Sequence, residues 1–315
     1  MSKVLITGGN GFIGSHLAEK LQSAGESVTL LDLKFDRNTR FHDCEKIRGD
    51  VRNYETVRKA TVGKDAVVHL AAVSRVAWGQ QDPYNCWLTN QVGTVNVLES
   101  CRKTALNPFV LEASSREVYG EPLYLPVNED HPKRPKSVYG LTKLSAERAC
   151  LSYSDSEGLD RAVRHVIMRF SNVYGSERDL QERVIPKFMT NALRDEDITL
   201  YGGDQVLDFT FIDDTISGIM KTYAACLDTK TDVIGQDFHF VTGRGVSVGE
   251  LAKLIVGLVG SRSRVVHSPA NSFEVRQFVG DPTKAQRILG YEPRIKLEEG
   301  LKRLSERMMP MIVAR

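Results

Sequence analysis

The stretch that decides the fold is KVLITGGNGFIG, residues 3–14, read together with Asp32 eighteen positions beyond it. A short apolar run stops at glycines and passes into a segment of helical period. In that segment Phe12, Ile13, Leu17 and Leu21 share one face, and Gly25 is placed to end the helix. In such a strand–turn–helix one glycine permits the tight turn, the next lets a phosphate approach the backbone, and the last lets helix pack on strand. The helix N-terminus then attracts a pyrophosphate. Gly8, Asn10, Gly11, Phe12, Ile13 and Gly14 are therefore predicted to hold a dinucleotide. Asp32 ends the second strand, where its carboxylate can accept hydrogen bonds from an adenosine ribose and repel a 2′-phosphate, favouring NAD over NADP. Leu33 and Lys34 follow in the same pocket, and the charges of Lys34 and Arg37 oppose that preference. Gly49-Asp50-Val51 follows a third strand and is suited to lie beside adenine, with Asp50 accepting from its amino group.

Outward from this unit, apolar runs at residues 4–6, 28–31, 66–70, 109–111 and 163–170 alternate with helical patterns. That alternation predicts a Rossmann α/β fold, a doubly wound parallel sheet with helices on both faces. The reading places an NAD-binding domain at residues 1–175, with crossings at about 205–245 returning to it, and a smaller, mainly C-terminal α/β substrate lobe at 176–315. Helices are predicted at 86–105, 184–193, 213–227, 248–259 and 282–289. Residues 121–135, with four prolines, are predicted to form a surface loop near the site.

Composition narrows the function classes. A formal net charge of +2 over 315 residues is too balanced for the phosphate neutralisation that nucleic-acid binding needs. No apolar run is long enough for a membrane span, and the opening residues read as a buried strand rather than a signal peptide, so a cytoplasmic location is expected. The five cysteines are scattered and never paired as Cys-x-x-Cys, which predicts packing residues, no disulfide framework and no metal site.

Tyr139-Gly-Leu-Thr-Lys143 sets a phenol and an ammonium one helical turn apart. Lys143 and a cationic nicotinamide would both favour the phenolate, which can take a proton from a sugar hydroxyl while the carbon beneath it loses hydride. Ser115, in Ala113-Ser-Ser-Arg-Glu-Val-Tyr-Gly120 after an apolar strand, lies where open α/β sheets bind ligands and could hydrogen-bond the reacting oxygen.

At these residues the chain resembles the extended short-chain dehydrogenase/reductase family, specifically its nucleotide-sugar epimerases and dehydratases. The resemblance also rests on His69-Leu-Ala-Ala72, Asn90-Gln-Val-Gly-Thr94, Arg169-Phe-Ser-Asn-Val-Tyr-Gly175, Val184-Ile-Pro-Lys-Phe188, Tyr201-Gly202 and Leu289-Gly-Tyr-Glu-Pro293. It implies that Leu70, Ala71, Ala72, Asn90 and Phe170 help hold NAD, that Ser115, Tyr139 and Lys143 form the catalytic triad, and that Asn172 meets a sugar diphosphate. Val184, Lys187 and Tyr201 would line the nucleotide pocket, and Arg276 would bind the diphosphate, a role for which a guanidinium is apt. A homodimer is also implied, paired through the Tyr139–Lys143 helix and the 86–105 helix.

Two departures matter. Leu207-Asp208-Phe209 stands where many relatives have Arg-Asp-Phe, so diphosphate binding must lean on Arg276 or another cation. Arg116 stands where 4,6-dehydratases carry an acidic Asp, and a guanidinium is a poor general acid. Glu117 matches the family's base. Epimerisation at C4 of a UDP-hexose, through a transient 4-keto sugar, needs no such acid and is the expected reaction. A UDP-glucuronate-type decarboxylase, in which Arg116 could pair with the uronate, and a 4,6-dehydratase are the alternatives; an NAD-sensing binding protein is the non-enzymatic one.

Overall fold

The computed structural model describes residues 1–35, 44–155, 159–228, 231–269 and 275–313. In the first half, strands β1 (Lys3–Thr7), β2 (Ser27–Asp32), β3 (Glu45–Arg48), β4 (Ala66–His69), β5 (Phe109–Ser115) and β6 (His165–Phe170) alternate with helices α1 (Phe12–Ser23), α2 (Tyr54–Thr61), α3 (Val76–Gln81), α4 (Pro83–Trp87), α5 (Gly93–Lys103) and α6 (Val138–Ser154). The second half contributes β7 (Asn172–Tyr174), α7 (Val184–Leu193), β8 (Ile198–Tyr201), β9 (Val206–Phe211), α8 (Ile212–Leu227) and β10 (Asp237–Phe240). It ends with β11 (Gly245–Ser247), α9 (Val248–Val259), β12 (Val265–Ser268), β13 (Gln277–Phe278), α10 (Thr283–Leu289) and α11 (Leu297–Val313).

The principal sheet has seven strands in the order β10-β6-β5-β4-β1-β2-β3, all parallel. The reversal of direction in strand order falls between β1 and β4, where an open α/β sheet presents its ligand crevice. Leu5, Val67, Val110 and Ile167 point to one face and pack with Val97, Leu98 and Cys101 of α5 and Cys150 of α6. Val4, Ile6, Val68, Leu111 and Met168 point to the other and meet Leu17 and Leu21 of α1 and Ile219 of α8. Burial on both faces is why these strands read as continuous apolar runs rather than alternating ones. A smaller sheet joins β11, β9 and β13, with β7 on β9, and β8 pairs with β12.

Several expectations shift in detail. The fourth apolar run ends at Leu111, but β5 continues through buried Glu112, Ser114 and Ser115. Polar side chains extend the strand because each has a charged or polar neighbour inside, as Ser114 has in Glu147, 2.5 Å away. Residues 121–135 form a surface loop, exposed at Leu123, Tyr124 and Leu125, but Val127, Glu129 and His131 turn inward and are buried, and Glu129 accepts the His239 N–H at 2.9 Å. The 86–105 helix starts earlier, at Pro83, with the Asp82 carboxylate accepting the Asn85 N–H, and passes through a π-helical turn at Leu88–Val92. α11 carried no signal that was read. No helix among the described residues is long and apolar enough to cross a membrane, and no group of metal-ligating side chains is found among them.

Candidate active site

Gly8, at the end of β1, has φ +68° and lies so close to β4's exit that an added Cβ would sit 2.8 Å from the Ala71 nitrogen. A Cβ on Gly14 would meet the Gly8 carbonyl at 2.3 Å. The turn therefore closes only on glycine, and α1 begins at Gly11 without any side-chain cap. Such a bare, close-approach cradle at a helix start fits a dinucleotide pyrophosphate. Asp32 accepts the Asn10 N–H at 3.0 Å, which locks the turn to the end of β2. Burial raises the Asp32 pKa above the usual carboxylate range, opposed by the N–H groups of Asn10, Lys34 and Leu33.

A cleft of about 850 Å³ opens over the C-terminal ends of the strands and gathers Gly8, Gly11, Phe12, Ile13, Gly14, Asp32, Leu33, Asp50, Val51, Leu70, Ala71, Ala72 and Phe170. Three sequence-predicted cofactor residues lie off its walls. Asn10 contributes its backbone to Asp32, Lys34 is exposed, and Asn90 is fully buried behind the wall. The Asn90 carbonyl accepts the Val73 N–H at 2.8 Å while its amide donates to Thr142 at 2.9 Å. Its place in the π turn ties the 70–73 loop to α6, so it supports the wall rather than forming it; π turns recur at functional sites for this kind of re-aiming. Arg37 lies outside the described residues. Asp50, expected to accept from adenine, is held by Arg52 at 2.8 Å, and that hydrogen bond lowers its pKa. Arg52 in turn reaches Asn85, and both line the cleft unforeseen.

At the reacting end, β5 delivers Ser115, whose Oγ accepts the Glu117 N–H at 3.2 Å and caps the short 3₁₀ turn Arg116–Val118. Ser137 caps α6 by accepting the Gly140 N–H at 3.0 Å. Gly140 packs so tightly on that turn that a Cβ would lie 2.5 Å from the Glu117 carbonyl. This close approach brings Tyr139 and Lys143 into the cleft beside Ser115. The Lys143 ammonium donates to the Ala113 carbonyl at 2.8 Å and stands 3.7 Å from Glu112. Arg116 pairs with Glu117 at 2.9 Å and lies over the Phe278 ring.

The substrate side of the cleft gathers Asn172, Val184, Lys187, Tyr201 and Leu207. Asn172 donates to the Asp208 carbonyl at 3.1 Å, and the Lys187 ammonium stands 5.8 Å from the Tyr201 ring. Arg276 departs from expectation: it is exposed and lines a separate cavity with Glu121, Lys136, Asp204 and Gln277, while its neighbours 270–274 lie outside the described residues. The cleft holds cations that sequence reasoning missed, Arg75 and Arg183. Arg75 donates to the Glu182 carbonyl at 3.2 Å across 107 positions of chain, a contact no local pattern signals. Arg183 stands 3.5 Å from Asp179, whose pKa burial pushes up to about 6 against the pull of Arg183 and Arg75.

A Rossmann sheet with an acid at the end of β2, and a serine from β5 beside a tyrosine and a lysine from α6 in one cleft, is the arrangement of an NAD-binding enzyme of the short-chain dehydrogenase/reductase type. The chain belongs to the NAD dependent epimerase/dehydratase family, which matches residues 4–234. It is 33% identical over 307 residues to a putative UDP-glucose 4-epimerase of Methanocaldococcus jannaschii, covering 96% of each chain. It is 32% identical over 308 residues to UDP-glucuronic acid decarboxylase 1 of Danio rerio, covering 95% of this chain and 71% of the relative. Among solved structures it is similar to MoeE5, in complexes with NAD and either UDP-glucose or UDP-glucuronic acid, at a TM-score of 0.89 and 30% identity over 98% of this chain and 99% of that one. The cofactor is NAD, which solved neighbours hold, and the glycine cradle and Asp32 fit it.

Proposed function

We propose that the enzyme inverts C4 of a UDP-hexose. The observation that carries this reading is the Arg116–Glu117 pair at the reacting end, with Arg116 in the position where a general acid would have to stand. A guanidinium stays protonated at neutral pH and gives no proton to a departing C6 hydroxyl, which disfavours dehydration. The Arg116–Glu117 ion pair carries no net charge with which to attract a uronate carboxylate. An uncharged C6 hydroxymethyl suits it better.

In this reading Tyr139 takes the proton of the C4 hydroxyl, Ser115 hydrogen-bonds the same oxygen, and Lys143 stabilises the phenolate. NAD, held at the Gly8–Gly14 turn and Asp32, would supply the hydride acceptor and donor for inversion at C4. Between the two transfers the 4-keto sugar turns over within the cleft, and Tyr139 gives its proton back. Asn172, Lys187 and Tyr201 hold the nucleotide end throughout. With Leu207 in the place of an arginine, Arg75 and Arg183 are the cleft cations nearest in chemistry to the missing phosphate contact.

Product analysis tests the reaction. Purified enzyme given UDP-glucose or UDP-GlcNAc is expected to return a product of unchanged mass with inverted C4, read by mass spectrometry and NMR, and to turn over UDP-glucuronate more slowly. Glu117→Gln should keep that inversion at a modestly lower rate, whereas an enzyme that uses Glu117 as base would lose roughly 10²–10⁴-fold. A product lighter by water or carbon dioxide overturns the assignment.

We further propose a homodimer paired through α4, α5 and α6. Tyr84, Trp87, Leu141 and Leu151 on these helices, and Val92 in the π turn between α4 and α5, are exposed in the single chain, at 75%, 36%, 47%, 41% and 39%. So much apolar surface on neighbouring helices is characteristic of an interaction face. Light scattering at micromolar concentration should give twice the 35.2 kDa chain mass; a monomer alone contradicts it.

A further inference from the structure

Beneath the cleft the sheet carries a carboxylate that the proposed reaction does not use. Glu112 on β5 is fully buried, and neither of its carboxyl oxygens has a hydrogen-bond partner. The Lys143 ammonium stands 3.7 Å away, and whereas Lys143 lines the cleft, Glu112 does not. Lys143 is itself only 3% exposed and donates to the Ala113 carbonyl, the residue next to Glu112. The two side chains thus occupy one buried site, with the Lys143 end opening into the cleft beside Tyr139.

We propose that Glu112 is a positioning residue acting through Lys143: its charge sets how much positive field Lys143 presents to the Tyr139 phenol. The inference rests on the assignment of Lys143 and Tyr139 to the catalytic machinery. When Glu112 is neutral, the Lys143 charge is uncompensated and favours the phenolate fully. When Glu112 is ionised, the pair is near neutral and the phenol holds its proton more tightly.

Among the described residues, the other groups facing Glu112 leave Lys143 as its one attractive partner. On β4 its register neighbour is His69, buried and held uncharged, with its pKa brought down to about 3 by burial and by Lys143. On β6 the register neighbour is apolar Ile167. On α6, Glu147 repels it and Cys150 is a buried thiol whose pKa is raised by burial and by both carboxylates. Burial pushes the Glu112 pKa up to about 7, with Lys143 opposing and Glu147 adding to the rise. Its charge therefore changes within the working pH range: neutral below about 7, ionised above it.

The test reads protonation directly. In wild-type holoenzyme, infrared titration should show a carboxylic-acid carbonyl band that disappears near neutral pH and is absent from Glu112→Gln. In Lys143→Met the band should persist to higher pH, because the stabilising cation is gone. In Glu112→Gln the ultraviolet phenolate titration assigned by Tyr139→Phe should move down by roughly half a unit to one unit. The acid limb of kcat should follow it while KM for the UDP-sugar stays in place. No such band in the wild type, a band indifferent to Lys143→Met, or an unmoved phenolate titration in a folded Glu112→Gln protein would each overturn the proposal. These readouts fail separately from the choice of reaction, since none depends on which product forms. Loss of the Tyr139 assignment would instead appear as an active Tyr139→Phe enzyme.

Discussion

Tyr139→Phe is expected to lower turnover by at least the 10²–10⁴-fold that a positioned acid–base group contributes, while leaving binding of NAD and of UDP nearly unchanged. The expectation follows from what else stands at the reacting end. Lys143 is committed to the Ala113 carbonyl, Glu117 to Arg116, and the Ser115 oxygen to the Glu117 N–H. The Lys143 ammonium has no lone pair to accept a proton and the Ser115 hydroxyl is no base at neutral pH, so neither replaces the phenol. Tyr139 is 9% exposed and its Cβ and backbone pack close to Gly79, so the substitution removes one oxygen and leaves the wall in place. Single-turnover absorbance of reduced nicotinamide after mixing with UDP-sugar would measure the chemical step, and calorimetry with UDP would measure binding. Activity within a few-fold of wild type would remove Tyr139 from the mechanism.

The cofactor half of this site was legible because its determinants are local. A glycine that tolerates no Cβ and an acid at the end of a strand each act within one strand–turn–helix, and Gly8, Gly14 and Asp32 stand where that local reasoning places them. Helices α7 and α9 were legible to their end residues, since each carries an apolar stripe on one face and a polar boundary. What stayed hidden depends on pairs distant in sequence. Asn90 reads as a cofactor contact until its amide is seen to hold Val73 and Thr142. Arg75 reads as a loop charge until the chain brings Glu182 beside it. β5 was cut short because hydropathy reads Glu112 and Ser114 as polar and therefore exposed, whereas tertiary partners on α6 keep them inside. Polar residues buried by pairing are the recurrent blind spot, and here they lie directly under the catalytic loop.

The consequence is largest at Glu147, on the buried side of α6. Its carboxylate accepts from the Arg169 Nε and Nη2, each at 2.8 Å, and from the Ser114 hydroxyl at 2.5 Å. Arg169, 2% exposed, also donates to the Tyr119 hydroxyl at 2.9 Å and stands 2.7 Å from Asp237, which Lys284 meets at 2.8 Å. Burial alone would raise the Asp237 pKa, but Arg169 and Lys284 outweigh it and hold the carboxyl at about 2. Because that pKa is depressed, its contribution to stability is present above the ordinary carboxylate range and is lost as pH falls toward 2. Glu147→Gln is expected to destabilise the protein by about 3–5 kcal/mol, since it leaves a buried guanidinium short of one of its two counter-charges. The fall in Tm should be on the order of ten degrees. Replacing both partners, Glu147→Leu with Arg169→Met, should cost less than the two single changes added together, because no charge is then stranded. Activity should fall more than the folded fraction does, because Ser114 precedes Ser115 and Tyr119 closes the turn that carries Arg116 and Glu117. Thermal unfolding of the two single variants and the double variant, at neutral pH and in acid, measures all of this. A Glu147→Gln protein within about 1 kcal/mol of wild type would mean that the network is worth no more than an exposed ion pair.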